Sequence, residues 1–119
     1  IADLDGDGDL DIVVNNLNAP SQLFENQLCG GASLAVDLRW PGSKNTRALG
    51  AAVQLRTGTA AYSRMVRAEA GYLSGLPARV QFGFPASETP RQLLVRWPDG
   101  AVSQVAAPTP GTRLTITRE

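Results

Sequence analysis

The N-terminal segment has aspartate at every second position from residue 3 to residue 11, with glycine at positions 6 and 8. Five carboxylates within nine residues repel one another unless a cation lies among them. Calcium takes six to eight oxygen ligands and accepts carboxylates from a flexible loop. The spacing therefore predicts a Ca²⁺-binding loop, with a backbone carbonyl of Asp9 among its ligands. The predicted metal-binding residues are Asp3, Asp5, Asp7, Asp9 and Asp11.

The residues that follow the loop distinguish it from the loop of an EF-hand. An EF-hand requires a bidentate Glu at the twelfth loop position and a helix on each side. Here the twelfth position is Val14, within the β-branched run Ile12–Val14, which favours a strand. Gly8 stands at the sixth position, where such loops turn sharply. We therefore expect a Ca²⁺ loop that leads into a strand; the alternative is an acidic, solvated surface turn without a ligand.

Charge is divided unevenly along a chain whose formal net charge is zero. Residues 1–38 contain seven acids and no base, whereas residues 39–119 contain four acids and eleven bases, ten of them Arg. This asymmetry indicates two modules, or one module with a separate metal-binding region. The arginines are scattered and lack the clustering with aromatic residues that is typical of a nucleic-acid surface. We expect most of them on the solvated outer face of a sheet, and no nucleic-acid partner.

Composition limits the architecture and the chemistry further. With 119 residues, of which 43% are hydrophobic, the chain can bury one ordinary globular core. No run approaches the roughly 18 apolar residues of a membrane span. His is absent, which removes His-dependent catalysis and His metal ligands. The single Cys29 cannot form an internal disulfide, so the cysteine content leaves the redox compartment open.

After the acidic loop, short alternating runs separated by Gly-, Pro- and Asn-rich turns predict nine β-strands and no long helix. The expected strands cover residues 11–16, 22–26, 34–40, 50–56, 60–70, 78–84, 93–97, 101–105 and 114–117. Residues 60–70 can also be scored as a helix, but the preceding Thr-Gly turn favours a strand. The Asp99-Gly100 step predicts a tight hairpin. The expected fold class is all-β, an antiparallel β-sandwich or a barrel-like domain preceded by a loop and hairpin.

Five residues outside the acidic loop are candidates for ligand contacts: Lys44, Asn45, Arg47, Tyr72 and Trp97. The first three form a polar loop cluster that could meet an anionic group, although a solvated loop is the ordinary alternative. Tyr72 lies in a Gly-Tyr-Leu-Ser loop and suits either a ligand contact or a hydrogen-bonded corner. Trp40 and Trp97 end strands, which favours positions in the core or at its rim over sugar stacking.

The order of these motifs resembles two known modules. Residues 3–26 resemble the last unit of an FG-GAP or VCBS-type repeat, the blade module of integrin-α-like β-propellers, in which an acidic loop binds Ca²⁺ and a strand follows. Residues 33–119 resemble the ASPIC/UnbV domain of cartilage-acidic-protein-like and bacterial secreted proteins. The second resemblance rests on four motifs, at Lys44–Val53, Gly71–Ser74, Gln81–Phe84 and Val95–Gly100. Two positions depart from its pattern: Gln81 stands where the family usually has His, and Pro85 where it usually has Gly.

The resemblance implies a division into a repeat fragment at residues 1–28, which would be the remnant of a propeller blade, and a β-sandwich domain at residues 32–119. We expect Cys29–Gly31 to link them. The chain lacks an initiating Met and begins inside a motif, so we expect a piece of a longer protein. The resemblance also implies a secreted or extracellular location, or the periplasm or surface of a bacterium.

Three functions stay open, in descending order of support. The first is an extracellular, adhesion-type interaction module with a structural Ca²⁺, whose partners are the upstream propeller blades of the parent chain and an unidentified protein or glycan. The second is an accessory domain of a larger secreted propeller enzyme, and the third is a carbohydrate-binding module. We expect no enzymatic activity, because a saturated Ca²⁺ loop leaves no open position for water and the chain offers no identifiable nucleophile–base pair.

Overall fold

The computed structural model describes residues 1–27, 30–69 and 75–119. The described residues form nine strands and no helix, which confirms the all-β prediction. In chain order the strands are β1 (Ile12–Val14), β2 (Gln22–Phe24), β3 (Gly31–Arg39), β4 (Ala52–Thr57), β5 (Ala61–Met65), β6 (Arg79–Pro85), β7 (Pro90–Arg96), β8 (Val102–Ala106) and β9 (Thr112–Thr117). In this part of the chain, no helix has the length and apolar character needed to cross a membrane.

The strands are arranged in three sheets. β1 and β2 pair as a separate antiparallel hairpin. A three-stranded sheet has the order β6-β3-β9, and a four-stranded sheet has the order β5-β4-β7-β8. The chain passes between these two larger sheets at β3–β4, β5–β6, β6–β7 and β8–β9. Buried residues of both larger sheets belong to one hydrophobic cluster, so the arrangement is sandwich-like.

The pairing of β9 differs from the expected antiparallel arrangement. β9 runs parallel to β3, with Leu34 opposite Thr112 and Arg39 opposite Thr117. The cause is the preceding connection: β8 lies in the four-stranded sheet, so residues 107–111 carry the chain across to the other sheet before β9 begins. Such a crossover can deliver a parallel strand, whereas a two-residue hairpin gives an antiparallel one. Both larger sheets are open, so the barrel-like alternative is wrong for the described part of the chain.

Alternation along the central strands places one apolar face in the core, as the sequence pattern predicts. The buried apolar residues of β3, β4, β6 and β7 are Leu34, Val36, Leu38, Val53, Leu55, Val80, Phe82, Phe84, Leu93 and Val95. At one end of this core, the rings of Trp40 and Trp97 meet edge to face, with centroids 6.1 Å apart. The hydrophobic cores of the two sheets are therefore a single unit.

The hairpin turn agrees with the sequence, whereas several strand boundaries differ from those expected. The β7–β8 hairpin has Gly100 at a φ of +87°, as the Asp-Gly step predicts. The run at residues 60–70 contains a strand, as preferred, but β5 covers only Ala61–Met65. Gly31, expected in the linker at residues 29–31, instead pairs with Pro85 as the first residue of β3. Cys29 lies outside the described residues.

Candidate metal centre

The acidic loop is closed by an isolated bridge in which Ala2 and Asp11 exchange two backbone hydrogen bonds. Within it, Gly6 and Gly8 have φ values of +83° and +97°, a region that residues with a side chain rarely adopt. A Cβ at Gly8 would overlap the side chain of Ser33 on β3. Both glycines are therefore required by the path of the loop, and Gly8 also by its close approach to the sheet.

Hydrogen bonds between aspartate side chains and nearby backbone N–H groups hold the loop in shape. Asp3 Oδ1 accepts from the N–H of Gly6 at 2.8 Å, and Asp5 Oδ1 accepts from the N–H of Asp7 at 3.2 Å. Asp7 Oδ1 in turn accepts from the N–H of Asp9 at 2.9 Å. Each bond uses one carboxylate oxygen and leaves the carboxylate a second oxygen. The loop is thus a series of side-chain-stabilised turns with spare acceptor capacity.

Three of the five predicted ligands come together in space. Asp3, Asp5 and Asp11 each offer a carboxylate oxygen, and these atoms all lie within 4.8 Å of one another. The carboxylates of Asp7 and Asp9 are not in this group, although both residues belong to the same loop. For Asp9, the predicted ligand atom is the backbone carbonyl oxygen and not the carboxylate. A metal role for Asp7 and Asp9 therefore stays a prediction.

Asp11 is the most buried member of the group, with 2% of its surface exposed. Its Oδ1 accepts from the N–H of Asn26 at 3.0 Å, and its Oδ2 accepts from the N–H of Leu4 at 2.9 Å. These backbone hydrogen bonds, first that from Asn26, lower the pKa of Asp11 although burial acts in the opposite direction. Asp11 is therefore ionised at neutral pH, and it ties the loop to the chain that leaves β2.

The loop lies against the outer face of the three-stranded sheet. The Gln81 side chain on β6 donates from Nε2 to the backbone carbonyl of Gly8 at 2.6 Å, across 73 positions of sequence. A cavity of about 330 Å³ beside this contact is lined by loop residues such as Asp7 and by Arg79 and Arg113 of the sheet. In the sequence, Gln81 stands out only as a departure from the pattern of the resembled family, and no local signal predicts this contact.

A buried ion-pair cluster supports the sheet beneath the loop. Asp37 on β3 is 4% exposed, and its carboxylate accepts from Arg79 Nε at 3.1 Å and from Arg113 Nε at 2.6 Å. Burial raises the pKa of Asp37, but the hydrogen bonds from Arg113 and Arg79 outweigh it, so the pKa lies below its ordinary value. This cluster is not among the predictions from the sequence. Its one available signal was a lone acid within the apolar strand at residues 34–40.

The polar loop predicted as an anion site is organised largely by Asn45. The Asn45 side chain accepts from the N–H of Leu49 at 2.8 Å and donates to the carbonyl of Leu49 at 2.9 Å. These bonds close the turn in which Ala48, fully buried, adopts a φ of +52°. Lys44 and Arg47 are exposed on the same loop. Asn45 therefore acts first as a structural residue, and anion binding by the loop stays a prediction.

The two aromatic candidates have different outcomes. Trp97 is 2% exposed, and its Nε1 donates to Ser103 Oγ at 2.8 Å. Trp97 therefore lies in the core, the position that the sequence favours, and a ligand contact by Trp97 stays a prediction. Tyr72 lies outside the described residues, together with the rest of the Gly-Tyr-Leu-Ser segment.

Comparison with known proteins characterises the larger part of the chain. Residues 35–119 match the family model described as ASPIC and UnbV. The match begins within β3 and extends to the last residue, so it includes the whole four-stranded sheet and leaves out the acidic loop and the β1–β2 hairpin. No curated protein matches the chain. The resemblance of residues 3–26 to a repeat unit accordingly stays a prediction.

Proposed function

The chain belongs to the ASPIC and UnbV family, and we propose that it is a calcium-stabilised interaction module of a larger extracellular protein. In this proposal Ca²⁺ fixes the acidic loop, the loop rests on the sandwich-like domain, and the module binds other macromolecules without catalysing a reaction. The observation that carries the proposal is the convergence of three carboxylate oxygens, from Asp3, Asp5 and Asp11, within 4.8 Å.

The donor set suits calcium by its chemistry. The three converging groups are all carboxylates, the hard oxygen ligands that Ca²⁺ prefers, and the chain contains no His that would favour a transition metal. Asp3, Asp5 and Asp11 would hold the ion, with Asp7 and the Asp9 carbonyl as further donors. Bound there, the ion would offset the repulsion between these carboxylates and so stabilise the folded loop. A site with millimolar affinity would suit the calcium concentration outside cells.

The β1–β2 hairpin supports the idea of a larger parent protein. Both of its strands carry exposed apolar side chains: Ile12 is 47% exposed, Val13 53%, Leu23 62% and Phe24 53%. An isolated two-stranded hairpin is marginally stable in water, and a cluster of exposed apolar side chains indicates an interaction surface. We propose that a neighbouring repeat unit of the parent chain covers this hairpin, as in a propeller blade.

Calcium titration of the intact chain tests the proposal. We expect isothermal titration calorimetry to detect one Ca²⁺ site, and the thermal unfolding midpoint to rise when the chelator is replaced by calcium. Since an ion that binds only the folded state stabilises it by mass action, free calcium at 100 times Kd should add about 2.7 kcal/mol to the free energy of unfolding. Equal midpoints in chelator and in calcium would contradict the structural role.

Two variants that each remove one negative charge test whether the effect of calcium depends on the acidic loop. Asp5→Asn should abolish the calcium-dependent rise of the unfolding midpoint, because it removes a charge from the cluster and keeps the Oδ1 atom that accepts from the N–H of Asp7. Glu119→Gln, at the other end of the chain, should leave the rise unchanged. A loss of the calcium effect in both variants would indicate non-specific binding to acidic surface.

A further inference from the structure

The outer face of the four-stranded sheet is basic and contains no acid within its strands. Alternation points four arrays of side chains away from the core: Ala52, Gln54 and Arg56 of β4; Ala61, Ser63 and Met65 of β5; Gln92, Leu94 and Arg96 of β7; Val102, Gln104 and Ala106 of β8. Two of these side chains are cationic and none is Asp or Glu. This outer face therefore has a positive charge that no carboxylate of its own strands neutralises.

A shallow cavity of about 280 Å³ lies on this face. Arg56, Arg96, Gln54 and Ser63 line it, together with apolar parts of Leu94 and Val102. Arg56 Nε donates to Gln54 Oε1 at 2.8 Å, and Gln54 Nε2 donates to Ser63 Oγ at 3.2 Å. Because Arg56 is held by a neutral amide, its guanidinium keeps both its charge and further donors for a ligand.

The acids of the sandwich-like domain that form described contacts are outside these four strands, and each already has a partner; Asp99 lies in the β7–β8 turn. Asp37 binds arginines on the other sheet, and Asp99 pairs with Arg118 at 2.9 Å. Glu88 accepts hydrogen bonds from the hydroxyls of Thr57 and Tyr62. Charge complementarity therefore favours an anionic ligand over this cavity.

The arrangement of the sheet decides which kind of anionic ligand fits. β4 and β7 are central strands paired on both sides, so a peptide cannot add to them as a further strand and a ligand must lie across the face. The face carries no aromatic side chain on which nucleic-acid bases could stack. The amides of Gln54, Gln92 and Gln104 both donate and accept hydrogen bonds, which suits sugar hydroxyls. The planar guanidinium group of Arg can donate two parallel hydrogen bonds to the two oxygens of a carboxylate.

Register places the two arginines at opposite corners of this cavity. Arg56 lies opposite Gln92, and Arg96 lies opposite Ala52, so the two arginines are separated by four strand positions. At about 3.3 Å per residue, their backbones are about 13 Å apart along the sheet. We propose that this outer face binds an acidic polysaccharide, with Arg56 and Arg96 contacting carboxylates of its uronate residues and the glutamines contacting its hydroxyls.

The proposal can be tested by titrating the chain with a short oligogalacturonate in calcium-free buffer, below its unfolding temperature. Because each arginine supplies a charge-assisted hydrogen bond at an exposed site, we expect Arg56→Gln and Arg96→Gln each to weaken binding about three- to tenfold. The double variant should lose binding, and Arg96→Lys should fall between wild type and Arg96→Gln. The matched control is Arg39→Gln, which removes the same charge from the other sheet and should bind like wild type.

Several results would overturn this assignment. One is equal loss of affinity in the Arg39 and Arg56 variants, which would indicate non-specific charge attraction. Others are binding of neutral dextran as strong as that of the oligogalacturonate, or stronger binding of a sulfated polysaccharide or single-stranded DNA. Calcium binding by the wild-type chain is read out separately, so failure of the polysaccharide site and failure of the calcium module are distinguishable.

Discussion

At the scale of single residues, the carboxylate of Asp37 joins three strands. Asp37 lies on β3 between β6 and β9, which supply Arg79 and Arg113. Both arginines contact the carboxylate through Nε, and their side chains, 31% and 59% exposed, cover it. The cluster therefore crosses the whole three-stranded sheet on the face that meets the acidic loop. Removing only the carboxylate would leave two guanidinium groups without their acceptor.

The depressed pKa of Asp37 leads to a pH-dependent prediction. Because its folded-state pKa lies below the unfolded value of about 3.9, Asp37 stabilises the fold above that pH and loses this contribution as pH falls through the folded pKa. Asp37→Asn should lower the free energy of unfolding at pH 7 by about 1–3 kcal/mol. The difference from wild type should shrink at pH 3, measured by thermal unfolding in chelator.

The matched control for this cluster is Asp99→Asn, which breaks the pair with Arg118 and removes a carboxylate that is 35% exposed, compared with 5% for Asp37. We expect a smaller loss of stability, since exposed pairs contribute little. A difference between Asp37→Asn and wild type that stays constant from pH 7 to pH 3 would contradict the charge-based role of Asp37.

At the scale of elements, the acidic loop and the three-stranded sheet meet through a small number of specific contacts. Gly8 approaches Ser33 too closely for a side chain, and its carbonyl accepts from Gln81. The contact links the predicted calcium loop to β6, within the family-matched part of the chain. The amide of Gln81 therefore stands at the junction between the loop and the sheet. We therefore expect loop and sheet to stabilise one another.

Replacement of Gln81 tests this coupling. Gln81→Ala removes one hydrogen bond to the loop backbone, and we expect calcium affinity to fall about two- to tenfold in a calorimetric titration. Gln104→Ala, on the outer face of the other sheet, is the matched control and should keep wild-type calcium affinity. If wild type binds calcium and Gln81→Ala binds it equally well, the contact does not couple the loop to the sheet.

At the scale of the whole molecule, the two larger sheets share one core and should unfold together. Leu55 on β4 and Phe82 on β6 are both fully buried in that core, although they belong to different sheets. Small single-core domains usually unfold in one cooperative transition. The β1–β2 hairpin forms a separate two-stranded sheet with exposed apolar side chains, and we do not expect it to take part in this transition.

Core truncations on either sheet should therefore affect the same transition. We expect Leu55→Ala to lower the free energy of unfolding by about 2–5 kcal/mol and Phe82→Ala by about 3–5 kcal/mol. The exposed control Val102→Ala should change it little. Denaturant unfolding followed by Trp fluorescence and by far-UV circular dichroism should give coincident curves; two separate transitions would show that the sheets unfold independently.

Local patterns in the sequence determined the strands, because burial of one strand face imposes an alternation that can be read directly. They also determined the glycine turns of the acidic loop and the hairpin at Gly100, since positive φ favours glycine. The same patterns identified the candidate metal ligands. They could not decide which carboxylates converge, since that depends on the path of the loop between the bridge at Ala2 and the bond from Asn26.

The amino-acid sequence by itself determined the all-β class, the inward faces of the strands and the acidic loop, because each depends on residues close together in the chain. Only the tertiary structure decided the parallel pairing of β9 with β3, the burial of Trp97 and the convergence of Asp3, Asp5 and Asp11. It also decided the Asp37 cluster and the bond from Gln81 to Gly8, which join residues 42 to 76 positions apart. Such contacts arise from how strands cross between sheets, and no local pattern specifies that crossing.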